Sequence, residues 1–220
     1  MVNSNQKISL NFHLNGLLFN TSFIPPTLYF VMLLIYLIEK RFAGYFPTIS
    51  ETGTEYPNTI IIFLVFSTVS GFMFYEMISI CICLWNTYHP KQFLKILILM
   101  SAILSCLALD FIGVFPCNTI PKYHFLSTFI SFSNIVFLEI WGTIISRKCK
   151  SKILLVTRCM SIIFQILCLI IVAISETKIK IRINVTTAAL GEWLTFFFLP
   201  FWTLSMNSEL REYNQILIFD

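Results

Sequence analysis

The sequence predicts an all-α integral membrane bundle of six transmembrane helices with both termini in the cytosol. Three observations carry this reading. Charged residues make up 12% of the 220 residues against 57% hydrophobic ones, and the mean hydropathy is +0.81, whereas soluble domains carry about 25% charge. Six apolar runs each reach the length of about 20 residues that a helix needs to cross an about 30 Å hydrocarbon core. The basic residues then sort unevenly between the connections.

The six runs are Leu17 to Ile38, Thr59 to Trp85, Phe93 to Phe115, Tyr123 to Ile145, Ile153 to Ser175 and Thr187 to Met206, followed by a tail over residues 207–220. They are continuous and too long for the alternating segments of about ten residues that build a membrane barrel. The first run follows Lys7, exceeds a signal-peptide core and lacks an evident small-residue cleavage site, so it is expected to remain as a helix. Pro25, Pro26 and Pro200 fall inside runs, where lipid-buried helices accept them as kinks once neighbours satisfy the freed carbonyls. With only 7 glycines, the chain holds neither a phosphate cradle nor a domain linker, and a single bundle is expected.

Arg147, Lys148, Lys150 and Lys152 crowd the connection between the fourth and fifth runs, with Arg158 just inside and able to snorkel. A cytosolic position for this loop puts Lys7, Lys91, Lys95 and Arg211 on the same side, and Lys40, Arg41, Lys122, Lys178, Lys180 and Arg182 on the other. Retention of Lys and Arg in cytosolic loops accounts for most of the net charge of +4, and nothing points to nucleic acid. Cysteines 81, 83, 106, 117, 149, 159 and 168 lie mostly in apolar runs, where cysteine packs as a small hydrophobe. No disulfide framework is expected. Cys81-x-Cys83 has the wrong spacing for a zinc knuckle and no second ligand pair, so neither a metal nor another cofactor is expected.

An ionisable group inside a transmembrane helix costs about 2.5–3.5 kcal/mol on insertion scales, so each needs a partner or a wet cavity. Asp110, His124 and Glu192 fall toward the outer third of the third, fourth and sixth helices, and Glu76 and Glu139 toward the inner third of the second and fourth. This sorting predicts an outer polar cluster, in which Asp110 or Glu192 pairs with His124, and an inner carboxylate pair. The expected role is interhelical hydrogen bonding, worth about 1 kcal/mol a bond. Acid–base chemistry ranks behind it, because no nucleophile with a neighbouring base is identifiable.

The first outer loop, Phe46 to Pro57, carries two prolines, a glycine and several hydroxyl residues, and reads as ordered turns rather than a helix. Ser50 is followed three residues later by Gly53 rather than Glu or Gln, so no capping box is read at that serine. The loop is either a rigid plug over the helix ends or a surface for a ligand or protein partner. Asn184-Val185-Thr186 fits a glycosylation acceptor on the outer side, whereas Asn20-Thr21-Ser22 fits it within the first helix. Cys149 sits among basic residues as palmitoylated cysteines do, with an unmodified thiol the expectation. In the tail, Tyr213 and Ile216 fit the tyrosine-x-x-bulky-apolar pattern read by sorting adaptors.

The Phe-Pro-x-Ile-Ser-x-Thr-Gly-Thr stretch at Phe46 to Thr54 resembles the first outer loop of the DRAM-type autophagy modulators, part of the Frag/DRAM/Sfk superfamily with its CWH43-like N-terminal domain. The resemblance extends to Ile103-Leu104-Ser105-Cys106-Leu107, His124, and Thr186-Thr187-Ala188-Ala189 leading to Glu192-Trp193, all in family order. Tyr56-Pro57-Asn58 departs from the family's Pro-Pro-Glu, and Leu190-Gly191 interrupts its Ala-Ala-Glu-Trp. The resemblance implies six helices and a non-enzymatic multi-pass protein of lysosomal or endosomal membranes that modulates autophagy. Its contacts would be membrane lipid and a protein partner at the first outer loop, through Pro47, Ile49, Ser50, Thr52 and Gly53. The superfamily's other role, remodelling of glycosylphosphatidylinositol (GPI) lipids in the ER or Golgi, is the alternative, and the Ser-Glu-Thr-Gly-Thr loop is closer to the autophagy branch. A transporter would need an internal repeat and a midplane polar site, and a seven-helix receptor one more span; the sequence presents neither.

Overall fold

The computed structural model describes residues 23–24, 26–39, 46–54, 56–146, 151–176 and 185–217. Residues 17–22 of the first apolar run, the basic residues 147, 148 and 150, Cys149, residues 178, 180 and 182, and both asparagines of the glycosylation patterns lie outside these segments.

Every element in the described residues is helical: α1 (Pro26–Ile38), α2 (Ile49–Thr52), α3 (Asn58–Tyr88), α4 (Gln92–Val114), α5 (Pro121–Ile145), α6 (Lys152–Glu176) and α7 (Val185–Leu217). Among the described residues, four stretches are long and apolar enough to cross a membrane: Asn58–Ile78, Gln92–Val114, Pro121–Ile145 and Lys152–Ile174. The helix boundaries have local causes. His89 takes a left-handed backbone at φ 45°, its N–H bonds the Trp85 carbonyl at 3.0 Å, and Pro90 prevents continuation of α3. Pro121 opens α5 at a position where a missing N–H costs nothing. The one-turn helix α2 begins at Thr48 with a capping box: Thr48 Oγ1 accepts the Glu51 N–H at 2.9 Å, and Glu51 Oε2 accepts the Thr48 N–H at 2.8 Å. The expectation of turns without a helix here is therefore corrected, because the box starts two residues before Ser50.

Successive helices α3 to α7 pack as neighbours, and α7 returns against α2 and α3. The seam between α4 and α5 shows why. Ile98, Ala102, Ser105, Leu109 and Ile112 of α4 are buried three or four residues apart, as are His124, Ser127, Ser131, Ile135, Leu138 and Gly142 of α5. Small residues on this stripe bring backbones close enough for hydroxyls to bond across helices. Ser131 Oγ donates to the Ser105 carbonyl at 3.0 Å, and Ser70 Oγ of α3 donates to the Cys106 carbonyl at 2.9 Å. An aromatic cluster ties in the other helices: the Phe196 ring of α7 lies 4.6 Å from Tyr29 of α1, 5.0 Å from Phe132 of α5 and 6.1 Å from Phe66 of α3. Outward faces stay apolar, with Leu104, Leu107 and Phe111 on α4 and Ile163, Leu167 and Ile170 on α6 exposed, as lipid requires.

Gly142 permits the approach of α5 to α7, since a Cβ there would sit 2.8 Å from Trp202 Cζ2. Trp202 is buried and donates Nε1–H to Thr143 Oγ1 at 3.1 Å. Gly142→Val should displace that indole and cost about 1–3 kcal/mol, read as a fall in Tm of the protein in lipid nanodiscs together with a red-shifted tryptophan emission.

The end of α7 departs from the expected tail. The helix runs 33 residues to Leu217, about 50 Å at 1.5 Å per residue, so the segment beyond Met206 continues the sixth apolar run as helix. Pro200 lies inside α7 without ending it.

Candidate functional site

The loop that the sequence reading places first on the outer side becomes a cap over one end of the bundle. Ile49 and Thr52 of α2 are buried. Thr52 Oγ1 donates to the Ile49 carbonyl at 2.6 Å, and the Thr52 carbonyl accepts Asn58 Nδ2–H at 2.9 Å, which joins the cap to the start of α3. Gly53 lies so close to α3 that any Cβ would strike Ile62 Cδ1 and come within 2.8 Å of Ile62 Cβ. The Pro47 carbonyl accepts Trp193 Nε1–H at 2.9 Å, and the Phe46 ring packs 5.9 Å from that of Trp193. All five motif residues, Pro47, Ile49, Ser50, Thr52 and Gly53, thus build or hold the cap.

Its centre is Ser50. Ser50 Oγ donates to Glu192 Oε1 at 2.7 Å, and Glu192 Oε2 accepts the Ile49 N–H at 3.1 Å. On the other side, Ser50 Oγ lies 2.8 Å from Nε2 of His124, whose Nδ1 is 2.6 Å from the Phe115 carbonyl. The expected pairing of His124 with an acid is therefore indirect: Glu192 reaches it through Ser50. Asp110 takes no part, because it turns to Ser67 and Ser70 of α3. The sequence reading that no nucleophile has a neighbouring base is also corrected, since Ser50 and His124 are 74 residues apart in sequence and in contact in the fold.

The opposite half of the bundle holds a second set of polar groups. Gln165 Nε2 donates to both carboxylate oxygens of Glu139 at 2.9 Å, and to Ser161 Oγ at 3.2 Å. Glu76 lines a separate small cavity of about 20 Å³ with Met73, Phe132, Pro200 and Thr203, room for about one water molecule. The two inner acids lie within electrostatic reach of each other, as the sequence reading expects, with Glu139 on an amide partner and Glu76 on a cavity wall. Arg158 does not snorkel. It is 0% exposed, with Nη1 donating to Ser146 Oγ at 2.6 Å, Nε to Ser205 Oγ at 2.9 Å and Nη2 to the Ser205 carbonyl at 2.9 Å. Gln165 and Ser161 escaped the sequence reading, although Arg158, Ser161 and Gln165 recur at helical spacing on one face of an otherwise apolar run.

Among the described residues, no group of three His, Cys, Asp or Glu comes together that could hold a metal. Cys81, Cys106 and Cys168 are buried as free thiols. Tyr213 and Ile216 lie on the last turns of α7.

The family model for the Frag1/DRAM/Sfk1/Cwh43P N-terminal domain matches residues 15–213, nearly the whole chain and every element of the cap and the Glu192–Ser50–His124 chain. The protein belongs to this family. No curated relative and no solved structure matches it. In this Frag1/DRAM member, the family resemblance of the first outer loop coincides with the residues that dock the cap.

Proposed function

We propose that this Frag1/DRAM protein modulates autophagy and lysosomal function as a non-enzymatic multi-pass membrane protein. It spans the membrane six times with both termini cytosolic, so the cap faces the lumen. The excess of Lys and Arg around the connection of α5 to α6 supports that orientation. The observation that carries the reading is the docked cap. The stretch Phe46 to Thr54, closest to the autophagy branch in sequence, is spent on an ordered surface whose polar groups bind other helices. Such a surface suits recognition by a protein partner, while the apolar outward faces contact lipid.

One observation favours a second reading, GPI-lipid remodelling in the ER or Golgi. A serine hydroxyl beside an imidazole nitrogen is the arrangement that acyl transfer uses. In the docked geometry, however, Ser50 Oγ is held between Glu192 and His124 within the cap, which supports a holding role.

Fluorescence of the tagged chain against lysosome and Golgi markers tests the choice, with Tyr213 intact and changed to Ala. Lysosomal signal that moves to the cell surface in Tyr213→Ala is the expected outcome. A Golgi or ER pattern indifferent to Tyr213, with surface GPI-anchored proteins lost from cells lacking the chain, would favour the remodelling reading instead.

A further inference from the structure

The chain from Glu192 through Ser50 to His124 has fixed ends. Nδ1 of His124 lies 2.6 Å from the Phe115 carbonyl, and a carbonyl oxygen only accepts, so Nδ1 carries a hydrogen. At the far end, Glu192 Oε2 accepts the Ile49 N–H. Between them, Ser50 Oγ stands 2.7 Å from Glu192 Oε1 and 2.8 Å from His124 Nε2, and a hydroxyl has a single hydrogen to give. With His124 neutral and Glu192 ionised, both neighbours of Ser50 are acceptors, and one of the two contacts sets lone pair against lone pair.

One additional proton closes the chain. Either an imidazolium donates to Ser50, which donates to the carboxylate, or a carboxylic acid donates to Ser50, which donates to a neutral imidazole. The two forms interconvert by shifting hydrogens along the same bonds, and no atom moves far.

We propose that Glu192, Ser50 and His124 bind one shared proton, and that this proton latches the α2 cap to α5 and α7. The cap is then tight in acidic surroundings and loosens as the proton leaves with rising pH. The inference rests on the hydrogen-bond geometry and is independent of the autophagy reading. Other titratable groups near the chain come from each packed element. Glu51 of α2 and Tyr29 of α1 lie within electrostatic reach of Glu192. The Tyr29 hydroxyl is buried without a hydrogen-bond partner among the described residues. Lys122 and Tyr123 flank His124 on α5 and are exposed, Asp110 of α4 turns to α3, and α6 presents Cys168 beside Thr195. His89 is exposed at the other end of α3, away from the cap.

The test is hydrogen exchange over residues 46–54 of the full chain in lipid nanodiscs, at about pH 5 and about pH 8, the window in which histidine titrates, corrected for intrinsic exchange. Cap protection in the unaltered protein should fall about tenfold or more between the two, the size of one charge-assisted hydrogen bond. Glu192→Gln replaces the acid O–H by an amide N–H donor and closes the chain without the added proton. It should keep the acid-level protection at both values. Ser50→Ala should be weakly protected at both. Protection of α4 in the same samples shows that the bundle is intact. Equal cap protection of the unaltered protein at the two pH values overturns the proposal, as does a fall in Glu192→Gln that parallels it.

Discussion

Glu192→Leu should detach the cap and lower stability by about 2–4 kcal/mol, because it strips the acceptor from two donors at once. The Ile49 N–H loses its acceptor Oε2 at 3.1 Å, and Ser50 Oγ loses its 2.7 Å acceptor. The Trp193 bond to the Pro47 carbonyl and the Asn58 bond to the Thr52 carbonyl remain, so the bundle should survive while residues 46–54 become open to protease. Thermal unfolding in nanodiscs and limited proteolysis of the same preparation read the two effects separately. A variant with normal Tm and a protected cap, but without function in cells, would move Glu192 from a holding role to a direct part in activity.

Arg158→Leu should cost a similar about 2–4 kcal/mol, at the opposite end of the bundle. Its guanidinium reaches Ser146 at the end of α5 and both the hydroxyl and carbonyl of Ser205 on α7, so one planar group on α6 clamps two other helices. Those serines are held in turn, Ser146 Oγ by the Gly142 carbonyl at 2.7 Å and Ser205 Oγ by the Trp202 carbonyl at 2.6 Å. Arg158→Lys keeps the charge and loses the fork, and a single ammonium serves two directions poorly. It should recover less than half of the loss. Equal Tm for Arg158→Leu and the unaltered protein would show that the clamp adds nothing to helix packing.

Helix positions were legible because they follow from local sequence. A run such as Phe93 to Phe115 is apolar over the length a bilayer demands, and α4 spans Gln92–Val114. Where α3 stops was equally local, in His89-Pro90. The capping box of α2 is equally local, as Thr48-Ile-Ser-Glu51, and it starts two residues before Ser50, where no box reads. Arg158 misled for a physical reason. A long basic side chain near a helix end is free to reach water unless hydroxyls on two neighbouring helices offer it a buried seat, and Ser146 and Ser205 declare themselves only once α5, α6 and α7 are assembled.

The candidate site divides the same way. Pro47, Ile49, Ser50, Thr52, Gly53, His124 and Glu192 stood out as polar or turn-forming residues in an apolar chain, because lipid makes such residues costly wherever they sit. Their partnership did not, since Ser50 meets Glu192 across 142 residues and His124 across 74. The sequence by itself determined that this protein is a helical membrane bundle, and which residues had to find partners. Only the tertiary structure decided which partners they found, because each hydrogen bond is set by the angle and depth at which separate helices pack, and no local pattern encodes that.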